Sequence, residues 1–184
     1  MADEKSDAPG SVPGTATQQN GHQNGPQKTG GPSPDARAAN LGRLVALLMI
    51  SPRHSKMTVH DLNTYLAPAL GLGQFAVVGA KDQSTGPTKV AAAAWWAFVS
   101  PEVDQRLTES REPFLTLAPD EWNSGPVPWI VEAIGEARVV NELLKQIATR
   151  NFKGATAKLR AVLPDGRIAV GRMEPSSPAA QAKA

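Results

Sequence analysis

The sequence predicts a mixed α/β domain of the α+β kind, with one mostly antiparallel sheet flanked by helices. Three observations predict it. Apolar residues recur at helical spacing in four stretches, separated by short apolar runs of strand character. Two pairs of those runs enclose turn clusters, Asp82–Pro87 and Pro164-Asp165-Gly166, which reads as two hairpins. Finally, Gly and Pro crowd toward the N-terminus: residues 1–40 hold six Gly and five Pro, with only Met1 and Val12 as larger apolar side chains. Such a stretch buries too little surface to offset the entropy of ordering it. The chain of 184 residues therefore divides into a Gly/Pro/Gln-rich disordered tail (1–36), one folded unit (37–174) and a short flexible tail (175–184).

The elements follow in order. Residues Asp35 to Ile50 read as a helix with Leu41, Leu44, Val45, Leu48 and Met49 on one face, capped by Asp35 or Asn40. Ser51-Pro52 ends it, because the residue before proline is pushed out of the helical region. A second helix starts at Thr58, where Asp61 three residues on completes a capping box. It buries Val59, Leu62, Leu66 and Leu70 and stops at Gly71-Leu72-Gly73. Gln74–Ala80 and Lys89–Val99 form a hairpin. Ser100-Pro101-Glu102 opens a third helix to about Arg111. Phe114–Leu117 and Trp129–Ile134 read as strands, and Glu136–Arg150 as an amphipathic helix with Val139, Val140, Leu143, Leu144 and Ile147 inward. Thr156–Leu163 and Arg167–Met173 close the unit as a hairpin.

Composition excludes several functions. With Cys 0 there is no disulfide framework, thiolate nucleophile or cysteine zinc site, and no His pair has metal-ligand spacing. A net charge of +2 with scattered basic residues does not mark a nucleic-acid partner. The N-terminus carries Asp3, Glu4 and Asp7 where a secretory signal would be apolar, and the uncharged run Val90–Val99 is too short to span a bilayer. These features point to a cytoplasmic protein.

Few side chains suit proton transfer. His60 falls in the first turn of the second helix, facing water. His54 lies in the connection Ser51-Pro52-Arg53-His54-Ser55-Lys56, where a scaffolded loop presents imidazole, or where it is simply an exposed loop histidine. Ser51 is placed to fix that turn. Strand alternation sets Ile130, Glu132 and Ile134 on one face and Trp129, Val131 and Ala133 on the other. Both faces are apolar, so Glu132 is either a paired buried carboxylate or one reaching water at a sheet edge. Glu132 and Glu136 flank the strand-to-helix loop and oppose a coenzyme A pyrophosphate there.

Leu41-Gly42, Ser51-Pro52-Arg53-His54, Leu66-x-Pro68-Ala69, Gln74–Val78, Trp96-Ala97, Glu121-Trp122-Asn123-Ser124-Gly125 and Trp129-Ile130-Val131-Glu132 occur in the order and spacing of a known family. Over residues 41–173 the chain resembles the RTX toxin-activating lysine acyltransferases. That resemblance implies a GNAT-like fold, possible homodimers, and transfer of a fatty acyl group from acyl carrier protein to internal lysines of an RTX protoxin. It implies no tightly bound cofactor. It also implies a catalytic His, matching His54, and a catalytic Asp, whose position holds Glu132. Glutamate keeps the charge and adds about 1.5 Å of reach. On a detuned site Glu132→Asp raises activity; in a degenerate member that only binds a partner or carrier protein it changes nothing. A coenzyme A-dependent small-acyl transferase is the other alternative. Trp95, Trp96, Phe98 and Trp129 are candidates for an acyl channel or ordinary core, and Arg53, Lys56 and Arg138 for contacts with the acidic carrier.

Overall fold

A computed structural model describes residues 33–80, 89–112, 114–163, 165 and 167–174. Residues 1–32 and 175–184 of the expected tails, the Asp82–Pro87 turn, Pro164 and Gly166 lie outside the described residues. Helix α1 (Pro34–Met49) is capped by Ser33, whose hydroxyl accepts from the Ala36 amide at 3.2 Å, rather than by Asp35 or Asn40. Pro34 at the first turn explains the choice: its fixed φ and missing N–H suit that position and set the cap one residue earlier. Its buried face is Leu44, Leu47 and Leu48, with Met49 exposed.

The second predicted helix is two. α2 (Val59–Tyr65) has the expected Thr58–Asp61 capping box, and α3 (Ala67–Leu72) follows after a break at Leu66. Pro68 causes it, since proline has no N–H to give the preceding turn and its ring crowds the carbonyl four residues back. Val59, expected in the core, is exposed because it opens α2 on the solvent side.

Strands β1 (Phe75–Ala80), β2 (Lys89–Val99), β3 (Val127–Gly135), β4 (Ala157–Val162) and β5 (Ile168–Met173) form one sheet in chain order. All neighbours are antiparallel except β3 and β4, which are parallel and joined through α5 (Ala137–Arg150). α4 (Pro101–Glu109) is capped by Ser100 as expected. Phe114–Leu117 joins no strand ladder. Leu115 and Leu117 bury into the core, while Arg106 Nη1 donates to the Thr116 carbonyl, so side-chain burial rather than pairing holds the segment. The result is a GNAT-like mixed α/β fold.

β2 organises two cores by alternation. Ala93, Trp95, Ala97 and Val99 face α1, α3 and α4; Ala92, Ala94 and Trp96 face Leu143, Ile147 and Ala148 of α5. Alanine on both faces lets helices approach β2 closely. Trp95, Trp96 and Trp129 are 0%, 3% and 0% exposed, so these tryptophans are part of the core.

Candidate active site

The 51–57 connection is a tight coil of backbone bonds. The His54 and Ser55 amides donate to the Ser51 carbonyl at 3.0 and 2.9 Å, and the Met57 amide to the His54 carbonyl at 2.9 Å. This winding turns His54 inward, where it is 4% exposed, against the reading of an exposed loop histidine. Its ring packs against Phe114 and Tyr65, with centroids 5.5 and 6.3 Å away.

Glu132 meets it from β3 through a β-bulge. Across β2, Trp96 pairs with Ile130 and Trp95 with Glu132, so Val131 is the extra residue. The expected alternation is thereby broken: Glu132 and Ile134 share the face of Trp95, Trp129 and Val131, and only Ile130 and Ala133 face α5. An unbulged strand would have aimed the carboxylate at α5; re-aiming one side chain beside a site is a common use of a bulge. Pairing of β3 with β4 is confined to Trp129–Lys158 and Ile130–Leu159, before the bulge. Gly135 then ends β3 at φ +131°, where a Cβ would lie 2.3 Å from the Ala91 carbonyl oxygen, so this close crossing requires glycine.

The carboxylate is buried and fully engaged. Its Oε2 accepts from His54 Nε2 at 2.9 Å and Tyr65 Oη at 2.7 Å, and pairs with Arg53 Nη1 at 3.2 Å; Oε1 accepts from the Ala133 amide at 3.1 Å. Burial alone pushes this carboxyl up, but the His54 hydrogen bond, the Arg53 charge and the Tyr65 hydroxyl outweigh it and hold it below its ordinary value. It is therefore ionised. Burial, and then the Glu132 charge, push the Tyr65 hydroxyl far up, so it stays a permanent donor.

An ionised carboxylate only accepts, which assigns a proton to His54 Nε2. The other ring nitrogen, Nδ1, lies 2.8 Å from Ser51 Oγ. In neutral His54 this leaves the lone pair on Nδ1, with the carboxylate on the far side of the ring. Two openings flank the pair. One, of about 360 Å³, is walled by Met57, Tyr65, Phe114 and Leu117 with Arg53 and Lys56 at its edge. The other, of about 480 Å³, lies between Ser51, Ile50, Ala91 and Ile134.

The structure brings together His54 and Glu132, and adds two partners that sequence reasoning missed. Tyr65 is the only tyrosine in the chain, a hydroxyl on the otherwise apolar stripe of Leu62 and Leu66, and that oddity was the available signal. Arg53, considered for a carrier surface, stands on Glu132 and over the Phe114 ring, 4.6 Å from its centroid. His60 is exposed as expected. Glu136 occupies the N-cap of α5 with no side-chain cap bond. Among the described residues no group of three or more His, Asp or Glu is placed to hold a metal ion.

A GNAT-like sheet whose central strand bulges to seat a carboxylate against a buried imidazole defines an α/β acyltransferase-like domain. The model of the RTX toxin acyltransferase family matches residues 34–170, and the chain belongs to that family. No curated protein matches it.

Proposed function

We propose that this chain moves a fatty acyl group from acyl carrier protein to the ε-amine of internal lysines in an RTX protoxin, with His54 as general base and Glu132 as its orienting and charge-stabilising partner. The 2.9 Å bond between His54 Nε2 and Glu132 Oε2 carries the reading. A thioester is already activated, so the protein's task is to take a proton from the attacking amine and return one to the leaving thiolate. The C–N bond forms, the C–S bond breaks, and the proton removed at nitrogen ends on sulfur. Glu132 does not take that proton; it keeps the imidazole in the tautomer whose Nδ1 is free to accept.

The reach of Glu132 to His54 favours a working site over an inactive binder. Acyl carrier protein fits better than coenzyme A as donor because Glu136 sets a negative charge at the α5 N-terminus, where a pyrophosphate would sit. In this reading the working unit is 37–174, flanked by tails, in the cytoplasm, as a monomer or a homodimer. Among the described residues no helix is long and apolar enough to cross a membrane.

The test is transfer in purified components. The chain is mixed with an RTX protein and the same acyl group on acyl carrier protein or on coenzyme A, and lysine amides are counted by peptide mass spectrometry. Amides from the carrier-bound donor support the proposal. Amides from acyl-coenzyme A alone replace the donor, and none from either overturns the reading.

A further inference from the structure

Glu132 Oε2 draws three donors, and they differ in charge. Tyr65 donates at 2.7 Å and stays neutral. His54 Nε2, at 2.9 Å, brings a positive charge only when both ring nitrogens are protonated. Arg53 Nη1, at 3.2 Å, is positive throughout. The carboxylate side chain is 8% exposed, and an anion so buried needs a countercharge. Either cation could provide it. If His54 did, its resting form would be imidazolium, with no lone pair on Nδ1 to receive a proton from an amine. Because Arg53 does, the site is neutral with neutral His54 in it.

We propose that Arg53 is a positioning residue for the base: it acts as the counter-cation of Glu132 and so leaves His54 free to accept a proton and to return it. This rests on the proposed acyl transfer and adds to it what keeps the base available. The reaction needs both directions, since the imidazole receives a proton from nitrogen and must release it to sulfur as the C–S bond breaks. A buried carboxylate acting alone would hold the imidazolium. The guanidinium on the same oxygen weakens that hold while the Nε2 hydrogen bond still orients the ring.

The 51–57 coil builds this arrangement from adjacent residues. It sends His54 inward and leaves Arg53 at the edge of the 360 Å³ opening, so that both converge on one oxygen. The Arg53 side chain is 38% exposed, and the Phe114 ring under its guanidinium, 4.6 Å from the ring centroid, holds it in place. The groups facing His54 are Glu132 from β3, Tyr65 from α2, Phe114, and Arg53 and Ser51 from its own connection. Lys56 and Asp61 line the same opening with opposite charges. Arg53 is thus the cation that shares the carboxylate with the imidazole.

The experiment follows His54 across neutral pH by ring-nitrogen NMR of 15N-histidine-labelled protein, in the parent, Arg53→Met and Arg53→Lys. The two contacts on Oε2 put the Arg53 and His54 nitrogens at most about 6 Å apart. At an effective dielectric of about 20, with further screening of the exposed guanidinium, losing that charge favours imidazolium and moves the midpoint up by about one pH unit. Arg53→Met keeps a long side chain over Phe114 and is expected to show this rise; Arg53→Lys, which keeps the charge, is expected to reverse most of it. In lysine acylation from acyl carrier protein, kcat/KM of Arg53→Met is expected to fall up to about tenfold below the midpoint and to recover above it. A midpoint that does not move in Arg53→Met, or moves as far in Arg53→Lys, overturns the proposal. So does a loss of rate that is equal at every pH, the mark of a merely structural role. Arg53→Gln gives the same reading should Arg53→Met fail to fold. The expected rise in a chain that acylates nothing supports the charge balance and overturns the proposed activity instead.

Discussion

Shortening Glu132 to aspartate tests the site at its tightest point. The side chain spans from the β3 bulge to three partners of one oxygen, at 2.9 Å (His54), 2.7 Å (Tyr65) and 3.2 Å (Arg53). Removing a methylene withdraws that oxygen by up to about 1.5 Å, beyond hydrogen-bond reach of any of them. β3 cannot follow, because it is held by β2 on one side and ends at Gly135, where there is no room for even a Cβ beside the Ala91 carbonyl. Two buried donors are left unsatisfied, at about 1–3 kcal/mol each. Partial relaxation brings the expected loss of stability to about 2–4 kcal/mol. A displaced or rotated imidazole at this scale costs about 10²-fold in rate. Glu132→Asp is therefore expected to lower kcat/KM for lysine acylation about 10²-fold and to lower the urea midpoint at unchanged slope. This reverses the expectation from the family pattern alone, in which aspartate is the restored residue. An aspartate variant as active and as stable as the parent would refute the reasoning, since the carboxylate would then not be held at the observed reach.

Three other outcomes follow from the same geometry. Tyr65→Phe removes one of the three donors to Oε2 without opening a cavity, and is expected to cost about 1–2 kcal/mol in chemical denaturation. Gly135→Ala places a Cβ 2.3 Å from the Ala91 carbonyl oxygen at a φ of +131°, and is expected to destabilise by about 3 kcal/mol or more, read as a large drop in Tm. Because the folded Glu132 carboxyl is held below its ordinary 4.5, its contribution to stability is full above that value and is lost as pH falls through the lowered one. Urea titrations from pH 6 downward should show this acid loss in the parent, and a shallower one in Glu132→Gln.

Much of the fold was legible because local chemistry decided it. The Thr58–Asp61 box, the Ser100-Pro101 start of α4 and the change from period 3.6 to 2 around Gln74 each correspond to an observed boundary. The misses have specific causes. Pro68 divides a continuous apolar helical stripe, so periodicity alone joined α2 to α3. Phe114–Leu117 has the alternation of a strand but finds no ladder, because alternation reports one buried face and not a pairing partner. The site shows the same division. His54 and Glu132 stood out by type and position, and the resemblance joined them. Their 2.9 Å contact depends on the bulge at Val131 and on the inward coil of 51–57, and neither has a pattern in a single sequence. The bulge also inverted the expected face of Glu132, since one inserted residue flips every side chain beyond it.

In the proposed function the buried imidazole–carboxylate pair drives acyl transfer to protein lysines. Its most direct test is intact-mass spectrometry of an RTX protein co-expressed with the chain, beside a His54→Ala control shown by circular dichroism to be folded. The account predicts fatty acyl adducts on lysines with the parent chain and their loss, by about 10²-fold or more, with the control. Adducts at equal yield in both would contradict it, because transfer would then proceed without the base on which the whole site is built.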